Sequence, residues 1–230
     1  MSLASSHMDR MYRSQRHIYD ASRKFYLLGR DGLVRELQPA DGAKVLEIGC
    51  GTARNLVVAA KVYPRAQFYG VDISAQMLDT ARKSIAAEGL ESRINVAVAD
   101  ACDVRPAELF NVAKFDRIFI SYALSMIDSW EDVLAHAMDL LGPNGSLHIV
   151  DFGDFSGLPP WFGKAMKTWL AAFSVTPRDD FEPAFATLAS RRGTSVRVMK
   201  PFRAYAFHAV AVVPGKGPSW QNPSVSQSVN

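Results

Sequence analysis

One short segment constrains the fold more than any other part of the sequence. The apolar run Lys44–Ile48 leads directly into Gly49-Cys50-Gly51, and a helical pattern follows at once. A strand that ends in two glycines can turn tightly, and its backbone can approach a ligand without obstruction by side chains. The segment therefore predicts an α/β architecture with a nucleotide-type ligand at the carboxyl edge of a parallel sheet.

The remaining sequence alternates between strand and helix patterns. Strands are predicted over 44–48, 67–71, 94–98, 115–121, 146–151, 195–200 and 204–213, and helices over 53–62, 74–88, 106–111, 130–140, 158–172 and 180–191. Five strand–helix repeats favour a doubly wound, mostly parallel, seven-stranded Rossmann-like sheet. The last two strands are joined by a short link containing proline, which favours a terminal antiparallel hairpin.

The length of 230 residues suits a single domain of this kind. We expect that domain to span 9–213, with a helical cap over 9–36 in which two apolar columns repeat every seven residues. Tyr12 and Tyr19 belong to one column, and Gly32 is expected to help separate the cap from the first strand. Residues 1–8 resemble the remnant of an expression tag, and 214–230 have the composition of a flexible tail.

Composition excludes several classes of protein. No apolar run approaches the ~18 residues of a membrane span, and the two cysteines, Cys50 and Cys102, can form neither a disulfide scaffold nor a four-ligand metal site. We therefore expect no metal and a cytoplasmic location. Net charge is +4 over 9–30, −7 over 31–182 and +6 after Glu182. The basic ends indicate an anionic partner, either a lipid surface such as the inner face of a membrane or a nucleic acid, or they are simply solvated charge.

Carboxylates identify the kind of ligand. Glu47 lies two residues before the first glycine, and Arg54 occupies the position of the third glycine in a dinucleotide loop. A diphosphate is disfavoured on both counts, whereas a cation such as the sulfonium of S-adenosylmethionine is favoured. Asp72 and Asp100 end the next two strands, where they can accept hydrogen bonds from ribose hydroxyls and an adenine amino group, or can cap helices.

These motifs have a family resemblance. The Glu47-x-Gly49-x-Gly51 loop, Gly70-Val-Asp-Ile-Ser74, Asp100-Ala-Cys102 and Leu141-Gly-Pro-Asn-Gly145 resemble those of class I S-adenosylmethionine-dependent methyltransferases. One departure is Ala53, where many relatives have a third glycine. The resemblance implies an enzyme that binds S-adenosylmethionine. The candidate cofactor residues are Arg30, Glu47, Gly49, Cys50, Gly51, Arg54, Asn55, Asp72, Ile73, Met77, Asp100, Ala101, Cys102 and Ser121. Arg30 is expected to pair with the methionine carboxylate, with a solvated charge in the terminal turn as the alternative.

Other segments resemble the bacterial betaine-lipid N-methyltransferases. These are Met11–Asp31, Ser121–Ile127, Asp151-Phe-Gly-Asp154 and Val175-Thr-Pro-Arg178. This resemblance implies trimethylation of the amine of a diacylglyceryl-homoserine headgroup. It further implies a peripheral association with the membrane and a functional link to the enzyme that makes the aminolipid precursor.

Aromatic side chains are the candidates for the methyl-transfer pocket, because aromatic faces stabilise a quaternary ammonium. Tyr19 and Tyr122 are the candidate catalytic residues, and Tyr12, Trp161 and Trp169 are candidates for contact with the substrate. Packing is the alternative role for each, and Trp161, Phe162, Trp169 and Phe173 are expected to form a buried helix face. The proton acceptor for the amine stays open among Tyr122, Asp151, Asp154 and water.

Three rival functions remain open. The first is a methyltransferase acting on a quinone, a sterol or another small metabolite. The second is a protein that binds or modifies RNA, which is disfavoured because the chain lacks aromatic stacking motifs and a Pro-Pro-Tyr or Pro-Pro-Phe segment. The third is a non-catalytic protein that only binds the cofactor.

Overall fold

The computed structural model describes residues 27–215. The predicted tag, the cap residues 9–26 with Tyr12 and Tyr19, and the tail residues from 216 onward lie outside the described range. Within this range seven strands form one sheet: β1 (Lys44–Ile48), β2 (Gln67–Asp72), β3 (Ile94–Val98), β4 (Phe115–Ser121), β5 (Leu141–Phe152), β6 (Ser195–Met199) and β7 (Ala206–Val212).

Helices cover both faces of the sheet. In the described part of the chain they are α1 (Arg30–Glu36), α2 (Arg54–Val62), α3 (Ala75–Ala87), α4 (Pro106–Phe110), α5 (Trp130–Asp139), α6 (Pro160–Ala171), α7 (Phe181–Arg191) and α8 (Pro201–Ala204), with a 3₁₀ turn over Leu124–Met126. The last helix is irregular, because Phe202 and Arg203 have left-handed dihedral angles. None of the described helices is both long and apolar enough to cross a lipid bilayer.

The strand order is β3-β2-β1-β4-β5-β7-β6. Strands β1 to β5 pair in parallel, whereas β7 runs antiparallel to both β5 and β6. This arrangement confirms the predicted doubly wound sheet and its antiparallel terminal hairpin. Parallel pairing brings the carboxyl ends of β1, β2 and β4 to one edge, where Ile48 pairs with Val71 on one side and Ile120 on the other.

Two apolar clusters, one on each face of the sheet, form the core. Leu33, Leu56 and Leu78 bring α1, α2 and α3 into the first cluster. Val133 and Phe185 bring α5 and α7 into the second. Because both faces of the central strands are covered, β1 is buried from Val45 to Ile48, as expected for a parallel sheet.

Three expectations about local structure were wrong. Strand β5 begins at Leu141 rather than at 146, because Leu141 already pairs with Phe115 before a shift in register. Gly32 lies inside α1 instead of separating the cap from the first strand. The two tryptophans of the helix after β5 were expected to be buried, but Trp161 is 72% exposed and Trp169 is 39% exposed.

The face of α6 that packs against the core explains why the two tryptophans are exposed. Phe162, Met166 and Leu170 pack against the first apolar cluster, and they follow one another at intervals of four residues. Trp161 and Trp169 each precede a member of this stripe by one residue, which rotates them by about 100° around the helix axis. They therefore point away from the core.

Candidate active site

The glycine loop after β1 is fixed to the end of β2. The backbone N–H groups of Gly49 and Cys50 both donate to the carbonyl of Val71, at 2.9 and 3.0 Å. Gly49 has a φ of 73°, and a Cβ atom there would lie only 2.6 Å from the Cβ of Ala123. The loop can hold this shape only with glycine at position 49, because any side chain would collide with the loop after β4.

Asp72, at the end of β2, joins the loop to the next helix. One carboxylate oxygen accepts a hydrogen bond from Gly51 N at 2.8 Å, and the other accepts from Ser74 N at 2.9 Å. The hydroxyl of Ser74 in turn caps α3 by accepting from Met77 N. A carboxylate has about four acceptor positions, so Asp72 can also accept hydrogen bonds from the hydroxyls of a ligand.

Glu47 is a buried carboxylate beside the same loop. Its side chain is 1% exposed, and one oxygen accepts a hydrogen bond from the amide of Asn55 at 2.8 Å. The other oxygen has no partner among residues 27–215. Burial, reinforced by the nearby charge of Asp72, raises the pKa of Glu47 to about 8. An unpaired buried carboxylate oxygen is costly, and a positively charged donor would remove that cost.

A cavity of about 620 Å³ opens at this edge of the sheet. Its walls include nearly all of the predicted cofactor residues and one candidate catalytic residue: Arg30, Glu47, Gly49, Cys50, Gly51, Arg54, Asn55, Asp72, Ile73, Met77, Asp100, Ala101, Ser121 and Tyr122. Their convergence on one cavity is a finding of the structure, whereas the role of each residue stays a prediction.

Cys102 is the predicted cofactor residue that does not line this cavity. Its N–H donates to Asp100 at 2.9 Å, and its sulfur lies 3.3 Å from the hydroxyl of Ser129. The backbone of Cys102 therefore positions the carboxylate of Asp100. Trp161 and Trp169 also lie outside the cavity wall. Tyr12 and Tyr19 fall outside the described residues.

The proposed proton acceptors are poorly placed for that role. Burial raises the pKa of Tyr122 well above its usual value, and its hydroxyl donates to the carbonyl of Leu28 at 2.6 Å. Asp151 is buried away from the cavity and accepts from the N–H groups of Ser125 and Phe152. Asp154 is also absent from the cavity wall, and it pairs with Lys200 at 3.1 Å.

Sequence reasoning missed part of the wall. The additional lining residues are Leu27, Thr52, Val71, Ala99, Ala123, Met126, Ile127, Asp128, Ser129 and Ser174. Most of them adjoin predicted residues at strand ends, so extending each strand end by a few residues would have found them. Ser174 follows α6 and carries no sequence signal, because only the tertiary fold brings it to the cavity.

The strand order is that of the class I S-adenosylmethionine-dependent methyltransferase fold, and the cavity lies at the carboxyl edge of its parallel strands. Residues 45–145 match the family model described as "Methyltransferase domain". Residues 45–145 are thus similar in sequence to a methyltransferase domain, and S-adenosylmethionine is the cofactor that such a domain implies.

The chain is also similar in sequence to proteins named as methyltransferases. The chain is 33% identical over 135 residues to aklanonic acid methyltransferase from Streptomyces sp. (strain C5), covering 56% of this chain and 59% of the relative. It is 30% identical over 149 residues to a ubiquinone/menaquinone biosynthesis C-methyltransferase from Dinoroseobacter shibae, covering 64% and 56%. The chain thus spans a little over half the length of these curated relatives.

A solved structure shares the fold. Phosphoethanolamine N-methyltransferase 2 from Haemonchus contortus, in complex with S-adenosyl-L-methionine, aligns with a TM-score of 0.72 at 17% identity. The alignment covers 94% of this chain and 61% of that protein. At this identity the likeness establishes a common fold and no more.

The residues at the cavity fit the cofactor. Gly49 and Gly51 leave room for close approach to the backbone, and Asp72 can accept from ribose hydroxyls. The unpaired oxygen of Glu47 suits an ammonium or sulfonium group. The hydroxyl oxygen of Ser121 lies on the same wall. It is also buried, and it has no hydrogen-bond partner among residues 27–215.

The raised pKa of Glu47 predicts pH-dependent binding of the cofactor product. Below about pH 8 the carboxyl group is largely protonated, and a bound ammonium group favours its ionised form. The affinity for S-adenosylhomocysteine should therefore rise by up to about tenfold per pH unit from pH 6 toward pH 8, and then level off. Calorimetry in buffers of different ionisation enthalpy would detect the proton that Glu47 releases when the ligand binds.

The variant Glu47→Gln provides the control for this prediction. It keeps an acceptor for the amide of Asn55 but cannot titrate, so the pH dependence should flatten. An equally steep dependence in this variant would show that another group is responsible.

Proposed function

We propose that this protein is an N-methyltransferase that methylates the amine of a homoserine-type glycerolipid headgroup in successive cycles. One observation supports methyl transfer most strongly: Glu47, Asp72 and Asp100, at the ends of successive strands, line the same cavity. Together with the methyltransferase-domain match over 45–145, this supports transfer from a bound sulfonium cofactor. The lipid acceptor rests on the sequence resemblance and on the surface described below.

The chain would act mainly by orientation. S-adenosylmethionine, when bound, supplies an activated methyl group, and transfer to an amine moves positive charge without creating any. Asp72, Asp100 and Glu47 would hold the cofactor, while the segment after β4 would hold the acceptor against it. Correct alignment of the reacting groups can account for several kcal/mol of the barrier.

The acceptor amine must also lose a proton. Asp128 lies on the cavity wall, is exposed to solvent, and follows directly on the segment that includes Tyr122. We assign it as the group that receives the proton and passes it to water, because a carboxylate at the cavity mouth can do both. The ring of Tyr122 would face the methylated ammonium, where aromatic faces contribute about 0.5–2 kcal/mol.

An aromatic and basic surface supports a membrane-bound acceptor. Trp161 is 72% exposed and Phe202 is 50% exposed. Their segments adjoin, since a Cβ on Gly157 would lie 2.7 Å from the carbonyl oxygen of Arg203. Lys164 and Arg203 add exposed positive charge to this surface. Tryptophan and basic side chains together suit the headgroup region of an anionic bilayer, and the enzyme that makes the precursor would share that location.

A soluble small-molecule acceptor is the second candidate. The curated relatives include a ubiquinone/menaquinone biosynthesis C-methyltransferase and an aklanonic acid methyltransferase. The cavity wall near Tyr122 also contains apolar side chains, Leu27, Met126 and Ile127, which could contact a flat aromatic acceptor. The lipid and small-molecule proposals share the cofactor half of the site and differ in the acceptor alone.

Methyl-labelled S-adenosylmethionine distinguishes these acceptors. We expect label in diacylglyceryl-homoserine presented in anionic vesicles, detected by mass spectrometry as additions of one to three methyl groups. Turnover should fall steeply with added salt, because salt screens the attraction between exposed charges and the bilayer within about 10 Å at 0.1 M. The control substrates are a demethylated quinone precursor and the same lipid in neutral micelles.

Two variants sharpen the membrane part of this experiment. Trp161→Ala should lower turnover on vesicles severalfold and leave binding of S-adenosylhomocysteine unchanged. Leu109→Ala removes another exposed apolar side chain, on α4, and should change neither. Labelling of the quinone precursor but not of the lipid would overturn the lipid acceptor and leave methyl transfer intact.

A further inference from the structure

Three segments that are far apart in the sequence meet behind one wall of the cavity. We call residues 122–128 the acceptor wall, because they follow β4 and most of them line the cavity. Asp151 lies at the end of β5, and Thr176 and Arg178 follow α6. The N–H of Ser125 donates to Asp151 at 3.1 Å, and the carbonyl of Ser125 accepts from Thr176 N at 2.8 Å. Ser125 is therefore held from both sides.

Arg178 fixes both ends of the short 3₁₀ turn in this wall. One terminal nitrogen donates to the carbonyl of Ile127 at 2.6 Å, and Nε donates to the carbonyl of Leu124 at 3.3 Å. The planar guanidinium group presents its donors in a rigid fork, so the two carbonyls are held at a set separation. A lysine ammonium carries its donors on a single atom at the end of a flexible chain, so it would not hold the two carbonyls at this set separation.

Asp151 completes the arrangement from the side of the sheet. It is buried, and its second oxygen accepts from Phe152 N at 2.7 Å. The positive charge of Arg178 acts favourably on this carboxylate. The turn thus has its backbone groups satisfied by two charged side chains that belong to different segments of the chain.

The segment that carries Arg178 also reaches the cavity. Ser174, four residues earlier, lines it and has a left-handed φ of 56°. Val175 between them is buried and donates to the carbonyl of Leu170 in α6. A methyl acceptor bound against Ser174 would therefore contact the segment 174–178, which Arg178 connects to the acceptor wall by hydrogen bonds.

We propose that Arg178 is a positioning residue that holds the acceptor wall in the shape needed to align the methyl acceptor with the cofactor. Its guanidinium group donates to Leu124 and Ile127 of the wall, and within residues 27–215 it donates to none of Glu47, Asp72 and Asp100 in the cofactor half. Loss of Arg178 should therefore impair use of the acceptor and spare binding of the cofactor. The inference rests on the proposed methyl transfer but not on the identity of the acceptor.

The test compares Arg178→Lys and Arg178→Ala with the unmodified protein. With whichever acceptor takes up label in the assay above, kcat/KM should fall at least tenfold and part of the loss should appear in kcat. The Kd for S-adenosylhomocysteine should stay within about twofold. Added guanidinium ion at millimolar concentration should restore part of the activity of Arg178→Ala.

Arg192→Lys is a matched control. Arg192 also donates to a backbone carbonyl, that of Ala135, and pairs with Asp139, but it joins α7 to α5 away from the cavity. Its substitution should change neither acceptor kinetics nor cofactor binding. A control that loses acceptor turnover as strongly as Arg178→Lys would overturn the specific role of Arg178.

Amide hydrogen exchange gives a readout that needs no acceptor. In Arg178→Lys with bound S-adenosylhomocysteine, peptides that span 122–128 should exchange at least fivefold faster, while peptides that span 45–55 should not. Equal changes in both regions, or a parallel loss of turnover and cofactor affinity, would show a general structural role and overturn the proposal. Failure to find any methyl acceptor would count against the proposed function and leave this exchange test intact.

Discussion

Asp72→Ala is expected to lower the affinity for S-adenosylhomocysteine by about 100-fold or more, equivalent to about 2.7 kcal/mol. The substitution removes the acceptor for Gly51 N and for Ser74 N, so the glycine loop and the start of α3 both lose a fixed partner. It also removes the carboxylate that would accept from the ribose. Hydrogen bonds to a charged group contribute roughly 1.5–3 kcal/mol each. Calorimetry with S-adenosylhomocysteine measures the loss directly.

The control for this prediction is Asp79→Ala. Asp79 is an exposed carboxylate in α3 that pairs with Arg82, so its removal alters the charge of the same helix without touching the cavity. Affinity should stay within about twofold. Asp72→Asn should fall between the two, because the amide retains one acceptor oxygen. If Asp72→Ala bound the ligand as tightly as Asp79→Ala, the carboxylate would not be part of the cofactor site.

Gly49→Ala is the second large expected effect. The new Cβ would lie 2.6 Å from the Cβ of Ala123, and the residue would have to keep a φ of 73°. Left-handed backbone costs about 1–2 kcal/mol for a residue with a side chain, and overpacking typically adds about 1–3 kcal/mol. We expect thermal unfolding at a clearly lower temperature and cofactor affinity reduced by two orders of magnitude.

Gly42→Ala separates backbone strain from the collision. Gly42 has a φ of 75°, but a Cβ there would meet nothing within 4 Å. It should therefore show only the backbone cost and bind S-adenosylhomocysteine normally. Similar affinities in the two variants would mean that contact between the glycine loop and Ala123 does not shape the site.

The sequence predicted the sheet, and it predicted that the candidate cofactor residues would meet at one site. Strand and helix patterns are local, and the rule that ligands bind where parallel strands end places Glu47, Asp72 and Asp100 together without knowledge of any contact. The glycines of the loop are equally local, because their backbone angles follow from the tight turn. These features are encoded within a few neighbouring residues each.

The part of the cavity near the acceptor wall could not be predicted, because it is formed by contacts between distant segments. Ser174 reaches the cavity, and Arg178 reaches Leu124 and Ile127, only because α6 packs onto the first apolar cluster. The exposure of Trp161 follows from which stripe of α6 meets that cluster, and two adjacent stripes were equally apolar in sequence. Helical spacing alone could not choose between them.

The position of β7 has a consequence for synthesis. This strand is the last of the seven in chain order, yet it lies between β5 and β6 rather than at an edge. As the polypeptide leaves the ribosome, β5 keeps an unpaired edge and β6 has no partner until residues 206–212 emerge. An exposed edge of this length invites pairing with other chains. The nascent protein is therefore exposed to such pairing until β7 inserts between β5 and β6.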